Sequence, residues 1–167
     1  MEFDEIIKDI KNNKTVLQMK NFRQHYDTSC YEHCMNVAKY TYLICKKHNL
    51  DYISATRAAM LHDLFLYDWR VKSSKSPRFH GYKHPKIALE NSKKLFDLNE
   101  KEKDIILKHM WPLTLSLPKY KESFIVTLAD KYSTFIETKE YYKHNYKLQK
   151  IYRYAYVFLC LLVFRIV

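Results

Sequence analysis

Residues 29–65, SCYEHCMNVAKYTYLICKKHNLDYISATRAAMLHDLF, decide the fold. Ser29 and Glu32 form an S-x-x-E pattern, in which side chains and free backbone N–H groups at a helix start satisfy one another. The spacing predicts a helix from Cys30 to His48, with Val37, Tyr40, Leu43 and Ile44 as its core face. Asp51 stands where a second helix needs a cap, and Ile53, Ala58, Ala59, Leu61, Leu64 and Phe65 give that helix its apolar contacts. Two helices joined by a short polar turn fold back antiparallel. That brings His33, on the first, beside His62, near the end of the second.

The same signals recur on either side. Phe3, Ile6, Ile7 and Ile10 start a short helix, and Val16, Met19 and Phe22 suggest another. His84 opens a helix with Pro85 in the first helical position, where a missing N–H costs nothing. Asn99 and Glu102 repeat the capping pattern before Ile105, Ile106 and Met110, and a longer helix covers Ser123 to Tyr142. Residues 67–83, YDWRVKSSKSPRFHGYK, break the pattern as one long loop. One glycine and four prolines in 167 residues leave little room for hairpins and none for a Gly-rich phosphate loop. With 47% apolar residues, the chain is expected to form one all-α domain over residues 1–167, a helical bundle around a single core.

Residues 152–167, YRYAYVFLCLLVFRIV, are almost wholly apolar, but Ala155 to Phe164 is half the roughly 20 residues of a membrane span. The expectation is a last helix over about 146–166, buried or covering an apolar face in a homodimer. Interfacial membrane contact through Lys147, Lys150 and Arg153 is the alternative. Cys30, Cys34, Cys45 and Cys160 contain no C-x-x-C pair, and the start, MEFDEIIKDI, lacks the build of a secretory signal. Reduced thiols and a cytoplasmic location are expected.

A net charge of +11 favours anionic partners: phosphate compounds, nucleic acid or an anionic membrane surface. Dispersed lysines that only maintain solubility are the other reading. No block of five or six like charges and no basic-aromatic RNA motif occurs, so specific nucleic-acid binding is not expected.

Chemistry concentrates in six residues. His62 and Asp63 sit in AAMLHDLF, where burial is costly unless they pair with each other or hold a metal. Asp130 lies in the equally apolar VTLADKYS, His84 at a helix start, and His109 at a helix end in IILKHMWP. Each alone reads equally as a capping histidine, a core histidine with a partner, or a surface aspartate. Together with His33 they point to a site for a divalent transition metal, since imidazole and carboxylate suit Fe, Mn, Co, Ni or Zn.

The order H…HD…H…H…D resembles the HD-domain superfamily of metal-dependent phosphohydrolases. So do the strings YEHCMNVAKYTYLICKKHNLD, RAAMLHDLFLYDW, HPKIALEN and FIVTLADKYS, over about residues 25–135. The likeness is to small stand-alone bacterial hydrolases. Lys108-His109-Met110 lacks the adjacent histidines of the HD-GYP subgroup, and no GYP string follows His62-Asp63, which disfavours a cyclic-di-GMP phosphodiesterase. The symmetric dinucleoside tetraphosphate hydrolases share the ligand order. The resemblance implies one or two divalent metals. His33, His62, Asp63 and Asp130 would hold one, and Asp63 would bridge to a second held by His84 and His109. A water activated between the metals would attack phosphorus.

Around this set, Lys131 contacts phosphate or solvent, and Arg57 clamps phosphate or bridges helices. Arg78 and Lys83, with Lys72 and Lys75, attract a substrate anion from the long loop. Arg23 and His25 lie just before the first ligand helix, while His48, His80 and His144 read as surface or capping residues. Cys30 and Cys34, a turn apart beside His33, read as packing. The expected function is hydrolysis of a nucleotide or related phosphate ester or anhydride, with Asp63, Lys131 and Arg57 in catalysis. A non-catalytic metal- or nucleotide-binding protein working through a partner surface is the alternative.

Overall fold

The computed structural model describes residues 1–71 and 79–144 of the chain. Three four-residue helices open it: α1 (Phe3–Ile6), α2 (Lys8–Lys11) and α3 (Lys14–Leu17), followed by a 3₁₀ turn at Gln18–Asn21. The apolar spacing at 3–10 thus breaks into two short helices rather than one. The five longer helices are α4 (Cys30–Lys47), α5 (Tyr52–Leu61), α6 (His80–Leu95), α7 (Glu100–Lys108) and α8 (Lys121–His144). The all-α expectation is met.

Local capping chemistry sets the helix starts. Ser29 Oγ accepts from the Glu32 N–H while Glu32 accepts from the Ser29 N–H, and Asn99 and Glu102 reciprocate in the same way. Asp51 accepts from the Ser54 N–H at the start of α5. In the packing, α4 lies against α5 and α8, and α7 lies against α5, α6 and α8. As α4 ascends, its partners on α8 descend: Asn36 meets Glu137, Tyr40 stacks edge-on with Tyr132, and Asp51 just beyond meets Glu122. The two helices are therefore antiparallel.

Four further sequence expectations change. The core face of α4 is Cys30, His33, Cys34, Val37, Ala38, Thr41, Tyr42 and Cys45, whereas Leu43 is 61% exposed and Ile44 39%. Small and polar residues make up most of the buried stripe because that face packs closely on α5. A hairpin forms in spite of the scarcity of glycine: β1 (Arg23–His25) pairs with β2 (Thr28–Ser29), and Tyr26 takes the left-handed turn conformation at φ 50°. Helix α6 begins at His80, not at His84, so Pro85 lies inside it and the connection after α5 spans 62–79 rather than 67–83. Phe79, left-handed at φ 63°, turns the chain into that helix.

Arg57 is the fourth. Its guanidinium donates to both carboxylate oxygens of Asp9 at 2.7 and 2.8 Å and to the Ile6 carbonyl at 3.0 Å, and its Nε lies 3.3 Å from the buried Glu102. It bridges α1, α2 and α7 to α5, and with its guanidinium engaged by Asp9, Ile6 and Glu102 it serves as a strut rather than a phosphate clamp. The Cys160 thiol, the apolar helix expected over 146–166 and the homodimer through it fall outside the described residues, as do Lys72, Lys75 and Arg78. Among the described residues no helix is long and apolar enough to cross a membrane.

Removing this bridge leaves Glu102 buried without its cation. Arg57→Ala is expected to lower stability by about 2 kcal/mol, seen as a lower Tm, with metal content unchanged. A loss of bound metal in the folded variant would return Arg57 to the site.

Candidate metal centre

Each of the five longer helices places one or two of the candidate ligands at a fixed point. His33 lies in the first turn of α4, and His62 caps the end of α5 with Asp63 directly after it. His84 lies in the second turn of α6, His109 caps the end of α7, and Asp130 lies in the middle of α8. The structure brings all six together. His33, His62, Asp63, His84 and His109 are buried, and the Asp130 side chain is 13% exposed.

All four imidazoles turn Nε2 inward. His33 Nε2 is 3.0 Å from Asp130 Oδ1, and His62 Nε2 is 3.8 Å from the same oxygen. Asp63 faces both ways. Its Oδ2 is 3.5 Å from His62 Nε2, while its Oδ1 is 3.1 Å from His84 Nε2 and 3.5 Å from His109 Nε2. Among the described residues three groups of donors lie close enough to share a cation; two of them, His33-His62-Asp63 and Asp63-His84-His109, have Asp63 in common, and the third is His25-His33-Glu137. The first two have the arrangement of a bridging carboxylate.

The donor set fits a cation on two grounds. The Nδ1–H groups of His84 and His109 donate to the carbonyls of His80 and Ile106 at 3.0 and 2.9 Å. Each neutral ring then points an Nε2 lone pair at the other, 2.9 Å away, and such a contact repels unless a positive centre lies beside it. In addition, His62 Nε2 and Asp63 Oδ1 are buried with no hydrogen-bond partner, an expense that metal ligation would offset.

Electrostatics point the same way. Burial opposes charge on His33, but hydrogen bonds to Asp130 and Glu137 outweigh it and lift its pKa well above the ordinary imidazole value. Burial also opposes charge on His62, and the Cys34 sulfur with the Asp63 and Asp130 carboxylates lift it likewise. Burial works against ionisation of Asp63, yet His62, His84 and His109 hold its carboxyl well below the usual range; His33 and His62 do the same for Asp130. His109 moves the other way, lowered chiefly by burial. Without a metal, protons and carboxylates balance one another; with one, cations take the place of protons.

A cavity of about 360 Å³ opens onto Asp63, His84, His109 and Asp130. Lys131 lines it, with Nζ 3.4 Å from the Thr127 carbonyl and a pKa lowered by burial against the pull of Asp130. Lys83 is exposed and does not line it. Sequence reasoning missed several neighbours. Gln24 Nε2 donates to Asp63 Oδ2 from β1, next to His25, which also lines the cavity. His80 is no surface residue: it stacks between Trp69 and His84, accepts from or donates to the Tyr67 hydroxyl at 2.9 Å, and burial pushes its pKa down to about 4. Glu137 holds His33 from α8. Its signal was present, since Asp130, Thr134 and Glu137 follow the i, i+4, i+7 spacing of one helix face. Cys30 and Cys34 pack behind the site as expected, Cys30 donating to the Asp63 carbonyl at 3.2 Å and Cys34 lying 3.7 Å from His62 Nδ1.

Residues 30–134 match the family model described as the HD domain. No match was found among curated proteins or solved structures.

The ligand geometry sets metal content. His62→Ala and Asp63→Ala are expected to abolish most bound metal, because Asp63 serves both groups. His84→Ala and His109→Ala should each remove about one equivalent and leave circular dichroism intact. Elemental analysis showing full metal in the Asp63 variant would refute the assignment.

Proposed function

This chain belongs to the HD-domain family, whose superfamily is that of metal-dependent phosphohydrolases, and we propose that it hydrolyses a nucleotide or a related phosphate ester or anhydride. One observation carries the reading: two donor groups sharing Asp63 lie beside a cavity that also contains a lysine. His33, His62, Asp63 and Asp130 would hold one divalent cation, and Asp63, His84 and His109 a second. When bound, the cations neutralise phosphate oxygens and lower the pKa of a water.

The chain's own residues supply the rest. Lys131 stands on the cavity wall one residue from Asp130, where its ammonium can take a phosphate oxygen as negative charge grows. Gln24 fixes the orientation of the Asp63 carboxylate through its Oδ2. Trp69 stacks on His80 with ring centres 5.3 Å apart and planes 13° from parallel, and both rings line the cavity. A flat aromatic wall of this kind suits a nucleobase, which supports a nucleotide over a simple phosphate ester. The net charge of +11 draws such an anion in.

With Mn²⁺ supplied, hydrolysis of at least one mono-, di- or polyphosphate nucleotide is expected, and EDTA should abolish it. Lys131→Ala should lower kcat/KM about a hundredfold without changing metal content. If no nucleotide is cleaved while both metals are bound, the protein is instead a non-catalytic metal- or nucleotide-binding member of the family.

A further inference from the structure

The four inward-facing histidines are not held alike. His62, His84 and His109 each donate Nδ1–H to a main-chain carbonyl three or four residues back, those of Ala59, His80 and Ile106, at 2.7, 3.0 and 2.9 Å. His33 has no such carbonyl. Its Nδ1 lies 3.0 and 3.2 Å from the two oxygens of Glu137, 104 residues away on α8. Glu137 is buried, and Asn36 Nδ2 donates to its Oε1 at 3.2 Å. Among the described residues no lysine or arginine forms an ion pair with it. The residue also lies beyond the 30–134 stretch that matches the family.

A carboxylate oxygen facing Nδ1 can only accept. It therefore keeps a proton on Nδ1, so that a cation replacing the proton between Nε2 and Asp130 meets the Nε2 lone pair at the centre of the site. A carboxylate behind an imidazole also raises its basicity more than a carbonyl does. The donor groups are unequal in charge as well. The His33 group has Asp63 and Asp130 in contact and Glu137 behind, whereas the His84-His109 group has only the shared Asp63. His25, whose ring lies 5.2 Å from that of His33, has its Nε2 engaged 3.1 Å from the Thr134 hydroxyl, and with His33 and Glu137 it forms a further group of donors close enough to share a cation.

Building on the metal-centre reading above, we propose that Glu137 is a positioning residue that locks His33 in its ligating tautomer and makes the His33-His62-Asp63-Asp130 group the tighter cation site, filled before the His84-His109 group.

Binding of Co²⁺ to the full chain tests this without substrate, by calorimetry and by the visible absorption of the bound ion. The wild type should bind two equivalents in two steps, and His84→Ala should lose the weaker one. Glu137→Gln should weaken the tighter step about 10- to 100-fold and leave the weaker step within about twofold, while Glu137→Asp, which keeps the carboxylate, should recover part of the loss. Equal weakening of both steps, or none, overturns the proposal while leaving the metal centre standing. A wild type that binds no Co²⁺ overturns both. Loss of a third equivalent in Glu137→Gln would instead mean a cation held by His25, His33 and Glu137, and also overturns it. Should the Glu137 variants not fold, the ¹⁵N shifts of His33 in the Zn²⁺-loaded wild type decide: a protonated Nδ1 and ligated Nε2 are expected, and the reverse is fatal.

Discussion

Four imidazoles and two carboxylates packed into one largely dry space form the constraint that the rest of this structure serves. Such groups are costly to bury one by one, because each leaves water and finds only other polar atoms. The cost falls when every outward atom has a partner and every inward atom shares a positive centre. The outward side is met by main-chain carbonyls at the ends or first turns of α5, α6 and α7, and by Glu137 for His33. The inward side, with two Nε2 atoms 2.9 Å apart and two buried atoms lacking partners, is built for cations.

Helix termini are what make the convergence feasible. His62 and His109 cap the C-terminal ends of α5 and α7, where ring nitrogens reach carbonyls that the helix leaves free. Helices α4 and α8 run antiparallel, so Asp130 and Glu137, two turns apart on one face, address opposite nitrogens of the single ring of His33. The hairpin at 23–29 closes the remaining side by setting Gln24 against Asp63 and His25 against His33. Arg57 works elsewhere, tying the short N-terminal helices to α5 and α7 and so steadying the helix that ends at His62.

Much of this was legible in the order of residues. Ser29-Glu32 and Asn99-Glu102 specify their helix starts because capping depends on atoms three residues apart, and the structure reproduces both boxes. The stripe on α4 was misjudged in part because apolarity favours Leu43 and Ile44, while the buried face joins the expected Val37 to three cysteines, Ala38, Thr41, Tyr42 and His33. Small side chains are chosen there by the closeness of α5, which no local count records. The start of α6 was displaced for a similar reason: His84-Pro85 has the look of a first turn, but Phe79 in a left-handed conformation lets the helix begin at His80.

By itself, the sequence determined that the chain is helical, where most long helices begin, and which six His and Asp residues to look for together, because periodicity, capping and ligand type are properties of short stretches. Only the tertiary structure decided the rest: that Arg57 is a strut, that Gln24, His80 and Glu137 belong to the site, and that Asp63 offers a different oxygen to each donor group. Those roles rest on distances across as many as 104 positions of chain, which the packing of α4, α5 and α8 sets and local order does not.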